Sequence, residues 1–188
     1  MCPSFRLAVP VVLSICIMLV ETRTSMSQAP STESQVKAAF LYNFAKFIEW
    51  PSQVFPRRDS GFTICLAGDP FEGSLNKAVE GENLDNRPLV VRRIAPGEDI
   101  RGCQIVYVAP NTQRSAEIIN AAGAAPILTV GETEEFINNG GIIRFTETGH
   151  RVHFQINPDA AERVSLKVSS RLLRLADIVR PRPRAGIR

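Results

Sequence analysis

The chain has 188 residues, 22 of them Lys or Arg and 19 Asp or Glu, a length that fits one domain. Four arginines stand in the last nine residues, so the body of the chain is slightly acidic. Without a basic stripe a nucleic-acid ligand is excluded, and nothing after residue 20 is long and apolar enough to cross a bilayer.

The amino terminus sets itself apart. Met1 to Arg6 carries one arginine, Leu7 to Val20 is apolar apart from Ser14, and small and polar residues run on to Ala29. This is the pattern of a cleaved secretory signal peptide over residues 1–29, too short in its apolar part to span a membrane. Ile15 is too bulky to precede a lipid-modified Cys16. We therefore expect a secreted domain over 30–179 and a disordered, solvated Arg/Pro tail over 180–188. Cys2 and Cys16 leave with the signal. Cys65 and Cys103 remain, an even pair that in an oxidising compartment reads as one disulfide, with two buried thiols as the alternative. A bond between them would close a long loop, worth about 3–4 kcal/mol on the chain-entropy description.

Thr32-Glu33-Ser34-Gln35 reads as a capping box opening a helix that ends before Pro51. At helical spacing Val36, Phe40, Asn43, Phe47 and Trp50 gather on one side, flanked by Ala39 and Phe44, with Leu41 and Ile48 widening the arc. Tyr42, Lys46 and Glu49 lie opposite. Asn43 is out of place there, and if buried it requires a hydrogen-bond partner. Phe62 to Ala67 then predicts a strand, a helix runs from about Gly73 to Val79, and strands follow at Pro88–Ile94 and Cys103–Ala109. Residues 112–122 predict a helix, Pro126 to Val130 a strand, and Glu132 to Asn138 a short helix stopped by Asn139-Gly140-Gly141. Ile142–Phe145 and Arg151–Ile156 form a hairpin signal. A final helical region begins at Asn157-Pro158, breaks near Ser165 and resumes from Ser169 to Val179, with Leu172, Leu173, Leu175 and Ile178 supplying core. The expected fold is a single α/β domain in three layers. It has a Rossmann-like, mainly parallel sheet, an antiparallel C-terminal hairpin at an edge, and helices on both faces.

No catalytic constellation emerges. Gly68-Asp69-Pro70-Phe71-Glu72-Gly73 lacks the glycines of a phosphate loop and places Asp69 where phosphate would sit, so it reads as an ordinary turn that Asp69 helps to cap. His150 and His153, three apart on a strand, leave opposite faces and make no metal pair. Neither cysteine lies in a C-x-x-C, and the acids of Glu132-Glu134-Glu135 suit a helix start. We expect no enzyme, no cofactor and no metal.

Three stretches carry a resemblance: VKAAFLYNFAKFIEWP (36–51), GGIIRF (140–145) and INPDAAERVSLKVSSRLLRLADIV (156–179). In that order and spacing they resemble the YfiR family of periplasmic proteins. The resemblance implies a periplasmic, non-enzymatic regulator that represses an inner-membrane diguanylate cyclase by binding its periplasmic sensor region, and so controls cyclic di-GMP and biofilm formation. It also implies a homodimer, an antagonist lipoprotein of the outer membrane, and behaviour that depends on disulfides. The resemblance leaves a second class of sensor open, such as a membrane histidine kinase. Repressor-type members can carry a second cysteine pair near the hairpin; residues 140–160 have none, so redox control here would rest on Cys65 and Cys103. For the partner or dimer surface the sequence suggests Tyr42, Lys46 and Glu49 on the first helix and Arg171 and Arg174 on the last. The alternative is a periplasmic small-molecule-binding module serving a histidine kinase or transporter, with its cleft near Gly68–Phe71 and Ala109–Thr112.

Overall fold

The computed structural model describes residues 31–57 and 59–181. The signal peptide expected over 1–29 and most of the tail expected over 180–188 lie outside them. In chain order the elements are α1 (Thr32–Phe47), β1 (Ile48–Glu49), a 3-10 turn (Ser52–Val54), β2 (Phe62–Ala67), α2 (Ser74–Val79), β3 (Asn83–Leu84), β4 (Arg87–Arg93), β5 (Ile105–Val108), α3 (Ser115–Ala122), β6 (Leu128–Gly131), α4 (Glu134–Asn138), β7 (Ile143–Thr148), β8 (Arg151–Ile156), α5 (Pro158–Arg163), β9 (Lys167–Val168), α6 (Ser170–Leu173) and β10 (Asp177–Ile178).

The fold is mixed α/β with a mostly parallel central sheet, ordered β10-β8-β7-β6-β5-β2-β4-β3. β4, β2, β5, β6 and β7 run parallel, β8 is antiparallel to β7, and β3 is antiparallel to β4. The central strands are apolar but for Thr63 and Thr129, because both faces are covered. Phe62, Ile64, Leu66, Ile105 and Tyr107 point into one core with Leu41, Phe44, Leu75, Ala161 and Leu172 from α1, α2, α5 and α6. Cys65, Val106 and Val108 point into the other with Ile119, Ala122, Phe136 and Ile137 from α3 and α4. Phe136 demands glycine on both sides: a Cβ at Gly131 or Gly141 would come within 2.6 Å or 2.2 Å of its ring.

Several expectations need correction. Ser31, not Thr32, caps α1, accepting from the Ser34 amide at 3.1 Å. The helix stops three residues early, because Ile48 and Glu49 turn extended and pair with Val168 and Lys167. Its buried face comprises Ala38, Leu41, Phe44, Ala45 and Ile48; Phe40, Phe47 and Trp50 sit at the margins, and Asn43 is exposed, so it needs no internal partner. The last helix is only Ser170–Leu173. The chain then extends to pair Asp177 and Ile178 with Gln155 and Ile156, which makes β10, rather than the β7–β8 pair, the sheet edge. Leu175 and Ile178 therefore leave the core, at 72% and 43% exposure. His150 lies in the turn between β7 and β8 in left-handed conformation, not on a strand.

Candidate functional site

The suggested surface residues fall into two groups. On the flank of α1 facing α2, the half-buried Tyr42 donates its hydroxyl to the Glu82 carboxylate, and Lys46 Nζ stands 3.9 Å over the Tyr42 ring. Both are thus tied into the molecule's own contacts. Glu49 is exposed on β1 opposite Lys167 of β9. The Ser169 amide donates to the Phe47 carbonyl at 3.0 Å, binding the start of α6 to the end of α1 and bringing Glu49 to the corner of the domain that carries α6. Arg171 and Arg174 are exposed there and have no ion partner among the described residues.

Sequence reasoning missed the apolar part of this surface. The outward strip of α1 holds Val36, Ala39 and Asn43, with the half-buried Phe40 and Phe47 beside it. Phe40 packs edge-on against Phe154 of β8 at 5.3 Å, so the strip continues towards Val152. With Val36 at 37%, Leu175 and Ile178, three of the four exposed large apolar side chains among the described residues lie on α1 or on the segment after α6; Val90 on β4 is the fourth. The signal was present in the sequence as an apolar arc wider than one core could cover.

Beneath α1 lies a charged cluster at the carboxyl-terminal ends of β5 and β6. Lys37 Nζ reaches Glu33 at 2.5 Å and Glu132 at 2.8 Å, and the buried Tyr107 donates its hydroxyl to the other oxygen of Glu132. Arg144 Nε donates to the Glu132 carbonyl at 3.2 Å. Burial alone would lower the Lys37 pKa, but the two carboxylates outweigh it and hold the ammonium above the usual lysine range. Burial, reinforced by Glu132, pushes the Tyr107 hydroxyl well above the usual tyrosine range. Every polar end has a partner, so the cluster fastens α1 to the sheet.

On the opposite face the Sγ atoms of Cys65 and Cys103 are bonded, with Cα atoms 5.8 Å apart, and both residues are buried. Arg92 lies over the bond, its Nη2 3.2 Å from Cys103 Sγ and its Nη1 2.6 Å from Glu98.

The cleft beyond the strand ends has a definite form. Gly68 and Ala109 meet at the ends of β2 and β5, where a Cβ on Gly68 would fall 2.7 Å from that of Ala109, and Thr112 donates its hydroxyl to the Ala67 carbonyl at 2.6 Å. Beside them a hollow of about 390 Å³ is floored by Ile94, Ala95 and Ile118 and rimmed by Asn111 and Gln113. Asp69 accepts from the Phe71 amide at 2.9 Å and pairs with Arg93, so it closes its own turn. Among the described residues no group of three metal-ligating side chains converges.

The domain is thus an α/β fold with a buried disulfide and with apolar side chains exposed on its first helix and along its β10 edge. The family profile described as YfiR/HmsC-like matches residues 34–177, and the chain belongs to that family. A crystal structure of a conserved domain protein from Vibrio cholerae O1 biovar El Tor str. N16961 is similar at 12% identity with a TM-score of 0.49, covering 77% of this chain and 59% of that one. The chain thus spans less than two-thirds of that protein's length.

Proposed function

We propose that this protein is a non-enzymatic periplasmic regulator that binds the periplasmic sensor region of an inner-membrane signalling protein. Its target is a diguanylate cyclase, which it represses, lowering cyclic di-GMP and restraining biofilm formation. Membership of the YfiR/HmsC-like family supports the regulatory reading, and a buried disulfide suits an oxidising compartment. The observation that carries the binding mode is the exposure of Val36 on α1 and of Leu175 and Ile178 after α6, with Glu49 on the adjoining β1 and Arg171 and Arg174 on α6 and at its end. Apolar side chains that become fully buried on association supply most of the binding free energy, while charges around them set encounter rate and choice of partner. Two unpaired arginines favour an acidic partner face.

The test is genetic. Deleting the gene should raise cyclic di-GMP and surface attachment. Re-expressed wild type should restore both, and Leu175→Glu should restore neither while accumulating as folded protein. Unchanged cyclic di-GMP and attachment on deletion would remove the cyclase as target.

A second reading rests on the hollow beside Gly68, Ala109 and Thr112. It lies beyond the carboxyl ends of parallel strands at the point where the chain order reverses, β2 leading to β4 on one side and β5 to β6 on the other. In that reading a small neutral ligand occupies the hollow and the protein serves a histidine kinase or transporter. Saturable thermal stabilisation by such a ligand, lost on Ala109→Phe, is its test.

A further inference from the structure

The amino-terminal ends of β6 and β7 hold a different feature, bordered on one side by the segment after β10. Here α3 and α5, which cover opposite faces of the sheet, part and leave a narrow cleft. Its walls are Ile119, Ala122, Ile127, Ile142, Ala160 and Val164, and its volume is about 80 Å³. Arg163, at the end of α5, lines this cleft and also a wider hollow of about 510 Å³ formed with Asn138, Asn139, Asn157 and Asp159.

Two polar groups at this junction are uncommitted. The Arg163 guanidinium has no hydrogen-bond or ion partner among the described residues, although it reaches the Gly140 turn, where an added Cβ would lie 3.8 Å from Nη2. Asp159, which lines the same hollow, is engaged by Arg180 at 3.3 Å and makes no ion pair with Arg163. Asn157 is only 4% exposed, and its Oδ1 accepts from the Ala160 amide at 3.1 Å as the cap of α5. Its amide nitrogen is left without a partner. That nitrogen opens onto the hollow, since Trp50 Nε1 is the only sealed side-chain polar atom without a partner among the described residues, and it is a donor accessible to whatever occupies the hollow.

The junction thus offers donors next to a mostly apolar slot. A single guanidinium with a neighbouring amide matches a planar, singly charged carboxylate in charge and geometry. A phosphate would want more positive charge than one unpaired arginine. The slot is about half the roughly 150 Å³ of a cavity that accepts benzene, so it takes a short alkyl chain and not a ring. We propose that this cleft and its mouth bind a small aliphatic carboxylate, with the carboxylate on Arg163 and Asn157 and the alkyl chain between α3 and α5. The proposal is independent of the regulatory reading.

Isothermal titration of the mature protein with isovalerate tests it, with acetate and isoamyl alcohol as comparators that each lack one half of the ligand. Isovalerate should bind saturably at millimolar concentration and more tightly than either comparator. Amide NMR shifts on binding should cluster at Gly140, Ala160 and Arg163, and not at Gly68 and Ala109. Arg163→Gln, an exposed change that leaves the melting temperature of the free protein in place, should weaken binding by about tenfold or more, the usual loss on removing a charge-assisted hydrogen bond. Absence of saturable binding, equal binding by isoamyl alcohol, or equal binding by Arg163→Gln overturns the proposal.

Discussion

Lys37 of α1 reaches across to Glu132, 95 residues further along the chain, at 2.8 Å, and Glu132 in turn receives the hydroxyl of the fully buried Tyr107. The first helix is therefore fastened to the carboxyl ends of two central strands by a chain of paired polar groups. Such a linkage is costly to break from one side, because it leaves a carboxylate partly desolvated. Lys37→Met should destabilise the domain by about 1–3 kcal/mol, read from urea denaturation.

Lys37 and Tyr107 should set the alkaline limit of stability. Both folded-state pKa values are raised, Lys37 above 10.5 and Tyr107 above 10.0. A raised pKa means that the native state holds its proton when the unfolded chain releases it. The stabilisation is fully present below about pH 10 and is lost as pH climbs through the raised values. A melting-temperature series across pH 8 to 11.5 should fall steeply at its alkaline end, and Lys37→Met with Tyr107→Phe should flatten that fall. An equally steep decline in the double variant would assign it elsewhere.

The disulfide joins β2 to the turn that leads into β5 across a separation of 38 residues and is sealed on one core face. Replacing both cysteines by alanine should cost about 3–4 kcal/mol through the unconstrained unfolded chain. Because neither sulfur is exposed, thiol labelling under reductant should proceed no faster than global unfolding. Rapid labelling of the native protein would instead make the bond a redox-accessible switch.

Phe136 fills the space left by two glycines. Gly141→Ala should cost about 1–3 kcal/mol by overpacking, and combining it with Phe136→Leu should recover part of that loss in urea melts.

Much of the sheet was legible because fully buried parallel strands leave unbroken apolar runs, as in Phe62–Ala67 and Ile105–Val108. The two-residue pairings were not. Ile48 meets Val168 and Ile178 meets Ile156, and such contacts have no periodicity of their own. The β3–β4 hairpin did leave a local sign, Asp85-Asn86, both in left-handed conformation, the two residues of a tight primed turn. Helix α1 was read with its face misplaced, because aromatic residues drew the apolar side towards Phe40 and Phe47 while small Ala38 and Ala45 lie against the sheet. That misreading hid the proposed binding surface: side chains counted as core are the ones left at the margin. Leu175 and Ile178 were hidden the same way, since their spacing suits a helix that the chain abandons to form β10.

Leu175→Glu and Val36→Glu should leave folding within about 0.5 kcal/mol of wild type, as exposed positions do. Either should reduce association with the partner, chiefly by faster dissociation.

The most direct measurement is site-specific photo-crosslinking in intact cells, with the reactive side chain at position 175 and, as a comparison, at position 90 on β4. The regulatory account predicts a covalent adduct from position 175 with an inner-membrane protein that carries a periplasmic sensor region and a diguanylate cyclase domain, and none from position 90. Adducts from position 90 alone, or from position 175 only with proteins that have no signalling domain, would contradict it.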